Sequence, residues 1–140
     1  MGPDATRDAA VRRLPRAERR DQILAAATRA FARAGFAATS LDDVAGEAGI
    51  SRVILYRHFE SKTDLYRAVL DRACARVAGA VGYEEFRADS LDALLGAASE
   101  DPDGFRLLFQ HAAREPEFRA WVDEFRADSV RIAHRYLAAE

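Results

Sequence analysis

The sequence predicts an all-α fold, in which an N-terminal three-helix domain is followed by a second helical region. Apolar residues recur at spacings of three and four along most of the chain, which places them on one face of a helix. Ser or Asp stands where helices begin, and Gly stands where they end. No segment shows the alternation of polar and apolar residues that is typical of a half-buried strand.

The charge of the 140-residue chain is unevenly distributed. Residues 1–62 contain 11 basic and 8 acidic side chains, whereas residues 63–140 contain 10 and 15. A basic front suits a module that faces nucleic acid, although the excess is small. The single cysteine, Cys74, excludes an internal disulfide framework, and no apolar run approaches the ~18 residues of a membrane span. The N-terminus also lacks the apolar segment of a signal peptide, so we expect a cytoplasmic protein with no membrane partner.

The front of the chain divides into an arm and a first long helix. Residues 1–15 are polar and include three arginines, which predicts a flexible basic arm that is either a solvated tail or a contact to DNA. Residues 16–34 are predicted to be helical, with an apolar stripe that ends at Gly35. The stripe consists of Ile23, Leu24, Ala27, Ala30, Phe31 and Ala34.

The stretch from Thr39 to Lys62 predicts two short helices joined by a tight turn, followed by the start of a third. Ser40 and Asp43 have the spacing of a capping box, and Gly49 suits a turn that needs positive φ. Ser51 caps the second helix, for which we predict the range 52–58. Helix, glycine-containing turn and short helix together indicate a helix-turn-helix.

The second of these short helices carries an unusual number of side chains that suit a DNA groove. Arginine offers a planar pair of donors for a guanine edge, and tyrosine and histidine also donate. Arg52, Tyr56, Arg57 and His58 lie off the apolar face that Leu55 and Phe59 form four residues apart. We therefore predict that this helix enters the major groove of double-stranded DNA.

The run G-I-S-R-V-I-L-Y-R-H-F-E-S-K, with the upstream T-S-L-D-D-V-A, resembles the helix-turn-helix of the TetR family of bacterial transcriptional regulators. The resemblance implies a dimeric, ligand-responsive repressor that binds a palindromic operator. It assigns phosphate contacts to Thr39, Tyr56, His58 and Lys62, base contacts to Arg52 and Arg57, and a further backbone contact to Ser51. Where the family usually has Gly, this chain has Val53, which either meets a thymine methyl group or holds the helix slightly outward.

The rear of the chain, residues 63–140, is predicted to be a helical ligand-binding and dimerisation domain. We predict helices over 62–78, 91–99, 102–114 and 116–138, with a loop over 79–89. The resemblance implies two further helices that would form the dimer interface, so we expect this domain to be incomplete in the given chain. An effector pocket is predicted to be lined by Phe105, Phe109, Trp121 and Phe125, although aromatic residues at helical spacing are more often ordinary core.

Other functions are weighed against this prediction. The pair His111 and Glu115 has a spacing that can hold a metal ion, but no third ligand is evident, so we predict no metal and no cofactor. The sequence contains no nucleophile–base arrangement and no phosphate-binding glycine loop, so we predict no enzyme. The alternative is a helical protein-interaction module that keeps its helix-turn-helix without binding an operator.

Overall fold

The computed structural model of the chain describes residues 14–81, 90–116, 118–120, 123–124, 127–128, 130–131 and 134. Every regular element within these residues is helical, which confirms the predicted fold class. The elements are α1 (Arg16–Ala34), α2 (Leu41–Ala48), α3 (Arg52–His58), α4 (Lys62–Val81), α5 (Ser90–Glu100), α6 (Pro102–Arg106), a π-helical turn (Leu107–His111) and a 3₁₀ turn (Ala112–Arg114). None of the described helices combines the length and the apolar character needed to cross a membrane.

Helix α1 packs against α2 and α4 through its apolar stripe, which is buried as predicted except for Ala34, which is exposed. Ile23, Ala27 and Phe31 are fully buried. The helix ends at Gly35, whose φ of 85° lies in the region that favours glycine. Four buried residues of α1 lie off the predicted stripe: Arg19, Ala26, Thr28 and Ala32. Arg19 donates from Nη1 to Gln22 Oε1 at 2.6 Å, and Gln22 in turn donates to Ala48 O at 3.1 Å. This chain of hydrogen bonds satisfies a carbonyl group at the end of α2.

Helix α4 is longer than the sequence indicates. The helix continues to Val81, so the prediction of a loop from Gly79 is wrong for residues 79–81. Glycine in a helix interior costs only about 0.5–1 kcal/mol relative to alanine, so Gly79 does not end the helix. The buried side of α4 is formed by Leu65, Tyr66, Val69, Leu70 and Ala73.

The segment after Asp101 begins as predicted and then departs from a regular α-helix. Asp101 accepts a hydrogen bond from Gly104 N at 3.2 Å, and Pro102 occupies the first helical position. From Leu107 the pattern becomes π-helical, and Ala112 N–H bonds to Leu107 O. Residues five apart in a regular α-helix lie roughly 140° apart around the axis. The π-helical hydrogen bond brings Leu107 and Ala112 to the same side, and both are fully buried.

Pro116 lies in a turn, and described helical backbone resumes only at Arg119, so the prediction of a helix from residue 116 places its start too early. A hydrogen bond from Phe118 N to Glu115 O, 3.0 Å long, closes this turn. It carries the Phe118 side chain back into the core, where it is 1% exposed.

A cluster of four aromatic side chains joins the front of the molecule to this rear segment. Tyr66 lies at the centre, with ring centroids 4.9 Å from Phe31, 5.0 Å from Phe36 and 4.6 Å from Phe118. The Tyr66 hydroxyl group has no hydrogen-bond partner among the described residues, and burial raises its pKa. One continuous core therefore includes residues from both predicted domains, and their division at residue 62 stays a prediction.

Several sequence-based predictions lie outside the described residues. They are the structure of most of the basic arm (residues 1–13), of the loop residues 82–89, and of the last apolar residues of the rear helix.

Candidate nucleic-acid interface

The turn between α2 and α3 is defined by hydrogen bonds at both of its ends. Ser40 Oγ accepts from Asp43 N at 3.0 Å, and Asp43 Oδ2 accepts from Ser40 N at 2.9 Å, which completes the predicted capping box. The hydrogen bond from the Ser40 backbone N–H, and then the interaction with the Ser40 side chain, lower the pKa of Asp43. At the other end of α2, Gly49 has a φ of 70°, and Gly49 N and Ile50 N bond to Gly46 O and Ala45 O. This pair of bonds is a Schellman motif.

Helix α3 is fixed by its buried side and capped at its start. Ser51 Oγ accepts from Ile54 N at 3.3 Å, as predicted for the cap. Leu55 is fully buried and Phe59 is 6% exposed, so these two residues anchor the helix to the core. The opposite side faces outward: Val53 is 62% exposed, Tyr56 is 44% exposed, and Ser51, Arg52 and Arg57 are also exposed.

The exposed arginine at the start of α3 is held by two neighbours. Arg52 Nε lies 3.4 Å from Asp42 Oδ1, a residue of α2. The Arg52 guanidinium also lies over the Tyr56 ring, 5.5 Å from its centroid, and Nη2 donates to Tyr56 Oη at 3.4 Å. The Tyr56 hydroxyl and then the Asp42 carboxylate raise the pKa of Arg52, so it stays charged.

Basic side chains of α1 surround the other end of α3. Arg16 Nη2 donates to Arg57 O at 3.2 Å, and the Arg20 guanidinium lies 5.4 Å from the centroid of the Phe59 ring. His58 is partly buried beside them. Burial, and then the charges of Arg16, Arg19 and Arg20, lower the pKa of His58 below its ordinary value. The histidine is therefore neutral at neutral pH and offers one ring N–H as a donor.

Two of the predicted phosphate contacts are engaged within the protein instead of lying on the exposed face. Thr39 is 2% exposed, and its hydroxyl donates to Gly35 O at 2.7 Å. Lys62 Nζ donates to Phe36 O at 2.8 Å and lies 4.4 Å from the centroid of the Phe36 ring. Both side chains thus stabilise the turn that follows α1.

Sequence reasoning missed Asp42 and Arg16, and their positions alone gave no reason to single them out. Both lie on helices other than α3 and reach it only because the three helices pack together.

The predicted effector pocket is only partly within the described residues. Phe105 and Phe109 lie on consecutive turns with ring centroids 4.5 Å apart, and both are partly buried. The side chains of Trp121 and Phe125 lie outside the described residues, so the pocket stays a prediction. In the described part of the chain, no group of three or more His, Cys, Asp or Glu side chains is placed to hold a metal ion.

The capped two-helix turn, the anchored α3 and its exposed polar side define the class of helix-turn-helix regulatory proteins. Residues 23–69 match the family described as bacterial regulatory proteins, tetR family. These residues therefore form a DNA-binding domain of the TetR family, as the sequence motif indicated. The matched family and the relatives named below are regulatory proteins and not enzymes.

Known relatives and structures extend the similarity beyond the helix-turn-helix. The chain is 37% identical over 120 residues to the HTH-type transcriptional activator FasR from Mycolicibacterium smegmatis, which covers 79% of this chain and 54% of that protein. Among solved structures, a TetR-like transcriptional regulator from Rhodococcus sp. RHA1 has a TM-score of 0.75 and 28% identity, over 89% of this chain and 70% of the other. A transcriptional regulator from Aquifex aeolicus, 18% identical, shares the fold with a TM-score of 0.76 over 87% and 72% of the two chains. The chain thus spans about half the length of its FasR relative.

Proposed function

We propose that the protein is a DNA-binding transcriptional regulator that reads an operator through the exposed side of α3. The observation that carries the proposal is the division of this short helix: Leu55 anchors it in the core, while Arg52, Val53, Tyr56 and Arg57 remain exposed. A helix held in this way presents donors and an apolar methyl contact to a major groove without losing its own packing.

The proposal includes a palindromic operator bound by a homodimer, a small-molecule effector, and a cytoplasmic location because chromosomal DNA lies there. Family membership supports these features. Two copies of α3 must then reach half-sites roughly 34–36 Å apart. A ligand that binds the helical rear in only one conformation would shift the dimer towards that conformation and change this separation.

The direction of regulation has two candidates. A repressor is our first proposal, because the family resemblance implies one. An effector that weakens operator binding would then release a blocked promoter. Activation is the second candidate, and it is favoured by the FasR relative, which is a transcriptional activator. A reporter gene with the operator either overlapping or upstream of the promoter separates the two: repression lowers expression in the first arrangement, and activation raises it in the second.

The test of DNA binding is selection of bound duplexes from a random pool, followed by affinity measurements over a range of salt concentrations. We expect a palindromic consensus and a steep loss of affinity with salt, because bound phosphates release counterions. Lys62→Ala should weaken binding to all sequences alike and reduce the salt slope by about one unit if its ammonium exchanges Phe36 O for a phosphate. A flat salt response would instead support a protein-interaction module.

A further inference from the structure

The contact between Asp42 and Arg52 joins the two helices of the helix-turn-helix at their exposed surface. Asp42 lies in the first turn of α2, and its Oδ1 is 3.4 Å from Arg52 Nε in the first turn of α3. The side chains are 66% and 58% exposed. An exposed pair of this kind contributes little to stability, so the fold does not depend on it.

The same arginine is restrained on a second atom. Nη2 donates to Tyr56 Oη at 3.4 Å, and the guanidinium carbon lies over the Tyr56 ring, 5.5 Å from its centroid. Nε and Nη2 form one edge of the planar guanidinium, and this edge faces Asp42 Oδ1, which is paired with Nε, and Tyr56 Oη, which accepts from Nη2. Among the described residues, Nη1 has no hydrogen-bond partner. The end of the group, with Nη1 and the second hydrogen of Nη2, is left for a base.

We propose that Asp42 is a positioning residue for base readout, which holds the Nε edge of Arg52 so that the arginine meets a guanine end-on. This inference rests on the proposed function, since it assumes that α3 enters a major groove. A guanine presents O6 and N7 as paired acceptors, which matches the two end nitrogens of an arginine. Without Asp42, the long side chain would turn more readily to a neighbouring phosphate, which carries no sequence information.

The Asp42 carboxylate has an opposing effect on affinity. Its negative charge lies within a Debye length of about 8–10 Å of any phosphate that flanks Arg52, so it repels DNA of every sequence. Asp42 therefore exchanges some general affinity for selectivity at one base pair. This combination separates its role from that of a carboxylate that merely lies near DNA.

The experiment compares Asp42→Asn with Glu60→Gln in the full chain. Glu60 is another exposed acidic residue, next to the end of α3, and no described contact links it to Arg52. Binding is measured to the selected duplex and to the same duplex with each base pair changed in turn. Both variants should bind all duplexes more tightly, because each removes one negative charge. Only Asp42→Asn should lower discrimination at a single G·C pair, by roughly two- to fivefold.

A double-mutant comparison identifies the route of the effect. Arg52→Ala should remove discrimination at the same base pair, and Asp42→Asn should have no further effect on discrimination in that background. The inference is overturned if Asp42→Asn keeps wild-type discrimination, or if it changes discrimination without Arg52, while the wild-type chain still binds its operator. Failure of the wild-type chain to bind any duplex would overturn the proposed function as well.

Discussion

Four helices of this protein begin with the same hydrogen bond, yet they continue differently in the front and in the rear of the chain. Ser40, Ser51, Ser61 and Asp101 each accept from the backbone N–H three residues further on, at 3.0–3.3 Å. After the three serines, regular α-helices follow. After Asp101, the α-helix lasts five residues before the π-helical turn begins.

The difference lies in what determines the conformation after the cap. In the front, glycines at positive φ and caps act locally, and each helix buries a face with ordinary helical spacing. In the rear, the backbone adjusts so that Leu107, Leu108 and Ala112 all reach the core that α1 and α4 already form. Local signals thus specify the helices at the front of the chain, whereas tertiary packing specifies the conformation of the segment that follows Asp101.

The largest expected effect tests how far the front depends on the rear. Phe118→Ala should lower the free energy of unfolding by about 3–5 kcal/mol, because the ring is buried between Tyr66 and Phe36. Urea unfolding followed by circular dichroism measures the change. Leu95→Ala is the control: Leu95 is 58% exposed, so we expect a change within about 0.5 kcal/mol. Equal effects of the two variants would show that the front folds without this contact.

The second prediction concerns the two sides of α3. Leu55→Ala should cost about 2–5 kcal/mol of stability, because it leaves a cavity under the helix. Val53→Ala should change the free energy of unfolding by less than about 0.5 kcal/mol, since its side chain is 62% exposed. Val53→Ala should nevertheless alter operator preference. A large loss of stability in Val53→Ala would contradict the orientation of the helix in this structure.

The front of the fold was predictable from the sequence because its signals are local. Capping residues fix where α2, α3 and α4 begin, Gly35 and Gly49 fix where α1 and α2 end, and the apolar spacing fixes what they bury. The π-helical turn was not predictable in this way. A regular helix leaves Leu107 on a different side from Ala112, and only contact with the core shows that both must be buried.

For the same reason, the exposed side of α3 was predictable from the sequence, whereas the contacts between different elements were not. The exposed residues of α3 follow directly from its periodicity: Arg52, Tyr56 and Arg57 are exposed as predicted, whereas His58 is partly buried. The contacts of Asp42, Thr39 and Lys62 join residues of different elements, and no spacing within one element indicates them. Their roles towards DNA stay predictions.

A smaller difference in stability is expected between two glycines, one inside α2 and one in the turn that follows it. Gly49→Ala should cost about 1–2 kcal/mol, because a φ of 70° is strained for a residue with a side chain. Gly46→Ala should instead stabilise the protein by about 0.5–1 kcal/mol, since it lies inside the helix and an added Cβ would meet no atom within 4 Å. Thermal unfolding of both variants gives the two signs. The same sign for both would show that the local turn does not determine this part of the fold.

The smallest expected effect is a pH dependence of the free energy of unfolding, and it arises from His58 in the front of the chain. Burial and three arginines lower the pKa of His58, so the folded protein binds its proton less readily than the unfolded chain does. The unfolded state gains protons first as the pH falls through the ordinary histidine value of about 6.5. The contribution of His58 to stability is therefore fully present above that pH and is lost as the pH falls through the lowered pKa.

Replacing His58 tests this directly. In His58→Gln, the free energy of unfolding should fall less steeply between pH 6.5 and the acid range than it does in the wild-type protein. Urea unfolding at a series of pH values measures both slopes. Adding a short duplex should reduce the wild-type slope, because bound phosphates offset the charges of Arg16, Arg19 and Arg20 and make protonation of His58 easier. An unchanged slope in His58→Gln would assign the acid sensitivity to another group.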